Sequence, residues 1–119
     1  AIVDSNDIGI AAAEVAVRDN LDRCSYNLNG RELLTFSEVA RELSNSLGRE
    51  IKYNSISFEE FENDLSASIP SEWYVKAVVD LFSEIADGSL EDASSDLKDI
   101  LGREPTSISE FANSNRKAF

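Results

Sequence analysis

Two adjacent aromatic residues, Trp73 and Tyr74, follow Pro70 and offer the clearest ligand-binding chemistry in this sequence. An aromatic residue at the start of a helix presents a flat apolar ring, and tryptophan and tyrosine add a polar tip that suits contact with a small organic molecule. Aromatic residues at helical spacing are also common in protein cores. The sequence alone therefore leaves both roles open for this pair.

Carboxylates are the other abundant functional groups, and they occur in close pairs in FEEFEND (58–64) and SLEDASSD (89–96). Paired carboxylates can serve in glycoside hydrolysis or bind calcium. Neither segment has the DxDxDG order of an EF-hand loop, and acidic runs are typical of solvated surfaces. We therefore interpret both segments as exposed surface and predict no metal site.

Most other signatures of catalysis and cofactor binding are missing. Without histidine there is no imidazole base and no ordinary zinc site, and the single Cys24 lacks a base to activate its thiol. The five glycines lie too far apart to form a glycine-rich phosphate loop. We predict that this chain has no catalytic residue and binds no cofactor by itself.

Length and composition indicate a single globular domain that spans residues 1–119. The formal charge of −12 repels nucleic acid and anionic membrane surfaces, so neither is an expected partner. No apolar run is long enough to span a membrane, and a lone cysteine fits a reducing compartment, so we expect a cytoplasmic protein. The absence of methionine, even at position 1, hints that the chain was cut from a longer protein.

Apolar periodicity and the capping boxes Thr35–Glu38, Ser57–Glu60 and Ser107–Glu110 predict about six helices. They lie at 7–19, between Thr35 and Gly48, after Ser57, and at 71–87, 95–101 and 108–118. Alternating segments, SYNL at 25–28 and IKYNSI at 51–56, predict two strands around the second helix, joined as a right-handed crossover. The predicted fold class is therefore α+β, mainly helical, with a small two-stranded parallel sheet.

Two of these helices are apolar around most of their circumference. Helix 7–19 contains many small apolar residues, and helix 71–87 confines its polar residues to one narrow face. Burial of apolar surface contributes about 25 cal/mol per Å², so such wide arcs are not expected to stay in contact with water. Each helix is expected to have cover on more than one side.

Three stretches, taken in order, resemble the C-terminal lobe of NmrA-like proteins, which are atypical short-chain dehydrogenases. They are VDSNDIGIAAAEV (3–15), YNLNGRELLTFSEVARELSNSLGREIKY (26–53) and LGREPTSISEF (101–111). Members of this family are NAD(P)-binding oxidoreductases or redox-responsive regulators. The family's glycine-rich turn and tyrosine–lysine pair are absent from this chain. The resemblance therefore implies a lobe without its N-terminal Rossmann domain, which would carry NAD(P) and the proton chemistry in the full-length parent.

The resemblance also implies where partners would bind. Helix 7–19 would face the missing Rossmann domain, and helix 71–87 would line the cleft for a small-molecule substrate. The implied substrate contacts are Ile69, Trp73, Tyr74 and Ala77. The chain alone would form a homodimer through one of these apolar helices. Two alternatives stay open: a non-catalytic dinucleotide-sensing or protein-interaction module of an NmrA-like regulator, and a free-standing acidic helical interaction module.

Overall fold

The computed structural model describes residues 1–21, 25–92 and 94–119, and these ranges contain six α-helices. The helices are α1 (Ser5–Val17), α2 (Phe36–Leu47), α3 (Phe58–Ser68), α4 (Glu72–Ala86), α5 (Asp96–Leu101) and α6 (Ile108–Ser114). Short 3₁₀ turns follow α1 at Asp19–Leu21 and α6 at Arg116–Ala118. Each predicted helix is observed, although the last one ends at Ser114 instead of residue 118. Cys24 lies outside the described ranges.

Several helices begin where a side chain caps the first turn. The Oγ1 of Thr35 accepts a hydrogen bond from the N–H of Glu38, whose carboxylate accepts from the N–H of Thr35. Ser107 and Glu110 form the same reciprocal pair at α6. Gly48 ends α2 with a φ of 72°, a left-handed conformation that glycine adopts at little cost. Both of these predicted capping boxes are confirmed, and for the third, at α3, the Oγ of Ser57 accepts from the N–H of Glu60 at 3.1 Å.

The predicted fold class, α+β, is wrong, because no residue of the described ranges lies in a β-strand. In the first predicted strand, Tyr26 and Leu28 pack against buried residues of the helices. Between them, the N–H of Asn27 donates to Oδ2 of Asp96 at 2.8 Å. The alternating pattern therefore marks a segment with one side on the helices, and its backbone is not paired in a sheet.

The second predicted strand is also replaced by contacts with helical side chains. The N–H of Ile51 donates to Oγ of Ser44 at 2.8 Å, and that hydroxyl donates to the carbonyl of Ala40 in α2. Farther along, the ring of Tyr53 stacks on that of Phe36, with centroids 5.6 Å apart. The backbone and ring contacts of this segment are thus made with side chains of α2 and not with another strand. Neither the sheet nor the parallel crossover forms in the described part of the chain.

Contacts divide the chain into two compact units, which we call the first unit (Ala1–Tyr53 with Asp92–Phe119) and the second unit (Asn54–Glu91). In the first unit, α1 packs against α5 and α2 packs against α6. Ala11, Leu97 and Ile100 form the buried centre of the α1–α5 contact. The predicted single domain over residues 1–119 stays a prediction.

The second unit is a helical hairpin of α3 and α4. The rings of Phe61 and Phe82 meet edge to face with centroids 5.1 Å apart, a favourable geometry for two aromatic side chains. Val75 is buried on α4. No helix within the described ranges is long and apolar enough to cross a membrane.

Candidate functional site

The connection between α3 and α4 sets the position of the two aromatic residues. Ile69 caps the C-terminus of α3, where its N–H donates to the carbonyl of Leu65 at 2.8 Å. Pro70 then prevents α3 from continuing. Ser71 caps α4, and its Oγ accepts from the N–H of Tyr74 at 3.4 Å. Because α3 ends at Ser68 and α4 begins at Glu72, Trp73 and Tyr74 lie in the first turn of α4.

One side of α4 is apolar and exposed, and we call it the aromatic face: Trp73, Tyr74, Ala77 and Leu81. Trp73 is 78 % exposed and Tyr74 is 50 % exposed, so neither residue lies in a core formed by the described part of this chain. Helical spacing of four residues places Trp73, Ala77 and Leu81 in one row. Three of the four predicted contacts thus share a face.

The fourth predicted contact, Ile69, is separate from this row. It is half-buried and precedes α4, in the connection from α3. Assignment of all four residues as substrate contacts stays a prediction.

A second exposed apolar surface lies on α1, and we call it the outer face. Its large side chains are Ile8, Ile10 and Val17, of which Val17 is 77 % exposed. Between them lie small exposed residues: Gly9, Ala12, Ala13 and Ala16. Small side chains let another backbone approach a helix closely, so this surface is shaped for close packing.

The opposite side of α1 carries a buried carboxylate, Asp7, which is only 1 % exposed. Its Oδ1 accepts from Nη2 of Arg103 at 2.5 Å, and its Oδ2 accepts from the N–H of Thr106 at 2.6 Å. Burial by itself raises the pKa of this carboxyl. The hydrogen bonds from Thr106 and Arg103 and the charge of Arg103 outweigh burial, so the pKa of Asp7 lies below its ordinary value.

Sequence reasoning missed this role of Asp7, whose position three residues after Asp4 suggests only that the two residues cap the first helix. Asp4 does make the cap, and its Oδ1 accepts from the N–H of Asn6 at 2.8 Å. Arg103 stands in the Gly-Arg-Glu-Pro turn that supports the family resemblance, but no local spacing connects that turn to Asp7. The pair is a long-range contact, which capping and periodicity rules do not detect.

The described ranges contain no cluster of His, Cys, Asp and Glu side chains that would hold a metal ion. A shallow cleft in the first unit, bordered by Ile2, Leu34 and Ile108, has room for about one water molecule. It is too small for an organic ligand or a dinucleotide. The exposed faces of α1 and α4 are therefore the stronger candidates for binding surfaces.

No family model matches this chain. The chain is similar to the uncharacterized oxidoreductase YesF of Bacillus subtilis (strain 168), with 29 % identity over 111 residues. It is also similar to agroclavine dehydrogenase of Claviceps purpurea, with 34 % identity over 116 residues. These matches cover 92 % and 95 % of this chain, but 38 % and 39 % of the two relatives.

The fold is similar to that of the Citrobacter sp. triphenylmethane reductase, solved in complex with NADP(H). The match has a TM-score of 0.81 and 28 % identity, and it covers 94 % of this chain and 39 % of the reductase. This chain thus spans about two fifths of the length of its relatives, at their C-terminal end. The resemblance to the C-terminal lobe of NmrA-like, NAD(P)-dependent oxidoreductases is confirmed.

Proposed function

We propose that this chain is the substrate-side lobe of a longer, cytoplasmic NAD(P)-dependent oxidoreductase of the NmrA-like type, and that the lobe is not catalytic by itself. The observation that carries this proposal is the extent of the match: 94 % of this chain covers only 39 % of a reductase that binds NADP(H). In this proposal, the remaining N-terminal part forms a Rossmann domain that holds NAD(P). The lobe supplies shape and apolar contact to the substrate.

The positions of the glycines support the absence of a dinucleotide site in this lobe. Gly48, Gly88 and Gly102 have φ values of 72°, 83° and 66°, and each stands at the end of a helix. They serve as helix stops, whereas a dinucleotide fingerprint needs closely spaced glycines between a strand and a helix. NAD(P) binding therefore belongs to the N-terminal part in this proposal.

The outer face of α1 is the proposed docking surface for the Rossmann domain. Ile8, Ile10 and Val17 are exposed there, and each contributes to stability when it is removed from water. The small residues between them allow a neighbouring element to approach the helix backbone. In the chain alone, we expect the same face to pair with a second copy and form a homodimer.

The aromatic face of α4 is the proposed substrate surface, and Ile69, in the connection before α4, is the fourth proposed contact. Trp73 and Tyr74 offer flat rings to an organic molecule, and Ala77 leaves room beside them. A largely apolar wall with few polar groups is typical of small-molecule sites. In this arrangement the substrate is held between this face and the nicotinamide of the cofactor.

Calorimetry with NADPH and NADH tests whether NAD(P) binds to the N-terminal part of the protein and not to this lobe. We expect the 119-residue chain to bind neither dinucleotide, and the full-length gene product to bind one of them with micromolar or tighter affinity. Micromolar binding by the chain alone would contradict the proposal. Binding by the full-length protein without turnover of any reducible aromatic compound would favour the sensing module instead.

Matched tyrosine substitutions test the substrate surface in the full-length protein. Tyr74 and Tyr53 are both 50 % exposed, but Tyr53 lies in the first unit, away from α4 in sequence. We expect Tyr74→Ala and Trp73→Ala to raise KM for an aromatic substrate about tenfold, because each removes a stacking surface. Tyr53→Ala serves as the control and should leave KM unchanged. Equal effects of Tyr74→Ala and Tyr53→Ala would refute the assignment.

A further inference from the structure

Negative charge is concentrated in the second unit, the α3–α4 hairpin. Residues 54–91 contain nine carboxylates and one basic residue, Lys76, which gives this unit a formal charge of −8 out of −12 for the whole chain. The carboxylates are Glu59, Glu60, Glu62, Asp64, Glu72, Asp80, Glu84, Asp87 and Glu91. The unit that carries the proposed substrate surface therefore has a strongly negative field around it.

Two of these carboxylates lie beside the aromatic face. Asp80 follows Ala77 by three residues and Glu84 follows Leu81 by three, so each lies one turn farther along the same side of α4. Both side chains are exposed, and neither takes part in an ion pair within the described ranges. Lys76, four residues before Asp80 on α4, is the one basic residue of the second unit, so these two carboxylates outnumber it and leave a net negative charge beside the aromatic face.

Exposed aromatic rings and unpaired carboxylates on one face favour the same kind of ligand. The faces of tryptophan and tyrosine rings attract cations through their quadrupole, and nearby carboxylates add Coulomb attraction. A flat ring system that carries a positive charge uses both interactions and still buries apolar area on Trp73. An anion gains the apolar contact but is repelled by Asp80 and Glu84.

We propose that the aromatic face of α4 binds flat aromatic cations, and that the substrates of this lobe belong to that class. The statement that these cations are substrates rests on the proposed function. The statement that the aromatic face binds them does not depend on it. Neutral aromatic compounds gain only the apolar contact there. Anionic aromatic compounds are excluded by charge.

Three probes of nearly equal shape test the charge preference: 1-methylquinolinium as the cation, 1-methylnaphthalene as the neutral compound and 1-naphthoate as the anion. Trp73 is the single tryptophan of the 119-residue chain, so its fluorescence reports contact directly, and calorimetry gives the Kd independently. At low salt we expect the cation to bind about tenfold more tightly than the neutral probe. The difference should shrink in about 0.5 M NaCl, because salt screens exposed charges. Equal affinity of the three probes at low salt overturns the proposal.

Substitutions that each remove one carboxylate charge test whether the preference for cations arises from Asp80 and Glu84. We expect Glu84→Gln and Asp80→Asn each to weaken binding of 1-methylquinolinium about threefold and to leave 1-methylnaphthalene unchanged, since only the local Coulomb attraction is lost. Asp19→Asn removes the same charge from an exposed position of the first unit and serves as the control. If Asp19→Asn weakens cation binding as much as Glu84→Gln does, the face has no local charge preference and the proposal fails.

Failure of this inference is distinguishable from failure of the proposed function. If Tyr74→Ala raises KM in the full-length protein but cationic and neutral aromatic substrates have equal kcat/KM, the function stands and the charge preference is refuted. If the full-length protein binds no dinucleotide while the chain binds 1-methylquinolinium through Glu84, the cation site is supported and the oxidoreductase proposal is refuted.

Discussion

Asp7 and Arg103 are 96 residues apart in the sequence, yet Nη2 of Arg103 lies 2.5 Å from Oδ1 of Asp7. The carboxylate is buried at the start of α1, and Arg103 belongs to the turn between α5 and α6. The second oxygen of Asp7 accepts from the N–H of Thr106, so one side chain fixes two points of that turn. This contact joins the N-terminal and C-terminal segments of the first unit.

Asp7→Asn should destabilise the chain by about 2 kcal/mol, because a buried charge-assisted hydrogen bond is replaced by a weaker neutral one. The free energy of unfolding in urea, followed by circular dichroism, measures the loss. Glu14→Gln is the matched control, because it breaks the solvent-exposed Glu14–Arg18 pair in the same helix. That change should cost less than about 0.5 kcal/mol. Equal losses for the two variants would show that Asp7 has no special role.

The stabilising effect of Asp7 should depend on pH in a defined direction. Its pKa is lowered in the folded state, so its contribution is fully present above the unfolded pKa of about 3.9 and is lost as pH falls through the folded pKa. The difference in unfolding free energy between the wild type and Asp7→Asn should therefore be constant from pH 7 to 5. Below about pH 4 it should shrink by up to about 1.4 kcal/mol per pH unit.

Three other carboxyls also have lowered pKa values. Comparison of the wild type with Asp7→Asn separates their contribution to the pH dependence from that of Asp7. The hydrogen bonds from Thr35 lower the pKa of Glu38, those from Ser107 lower that of Glu110, and those from Ser89 lower that of Asp87. These groups titrate in both proteins, so their effects largely cancel in the difference. A difference in unfolding free energy between the two proteins that stays constant down to pH 3 would contradict the role of Asp7.

Gly30 should not tolerate any side chain. A Cβ atom there would lie 1.7 Å from the carbonyl oxygen of Ile2, and backbone would have to move to relieve the overlap. We expect Gly30→Ala to destabilise the chain by about 2–3 kcal/mol in urea unfolding. Gly9→Ala is the control, since nothing lies within 4 Å of a Cβ at that helical position. It should stabilise the monomeric chain, at protein concentrations below those of dimerisation, by about 0.5–1 kcal/mol.

Val17→Lys should weaken self-association of the chain alone, because it places a charge in the outer face of α1, where Val17 is 77 % exposed. Sedimentation equilibrium should show a dimer of the wild-type chain that becomes monomeric in the variant. Higher salt should strengthen the wild-type dimer, because it screens repulsion between two chains of charge −12. Asn113→Lys adds the same charge on α6 and should leave the dimer intact. A monomeric wild-type chain would refute dimerisation through this face.

Helix positions were predictable because their determinants are local. A Thr35–Glu38 box, a Ser107–Glu110 box and a left-handed Gly48 act within one or two turns, and each was readable in the sequence. The strands were not predictable for the opposite reason. Alternation in the segments at 25–28 and 51–56 reflects packing on one side, but only a partner strand makes a sheet. Here Asp96 and Ser44 accept those backbone N–H groups instead.

The sequence by itself determined the six helices, the excess of acidic residues in the α3–α4 hairpin and the excess of apolar surface on α1 and α4, because composition and periodicity are local properties. Only the tertiary structure decided which apolar residues stay exposed, so that Trp73 lies on the surface while Val75, two residues later, is buried. It also decided that Asp7 pairs with Arg103. Burial and long-range pairing depend on which helices pack together, and no local spacing carries that information.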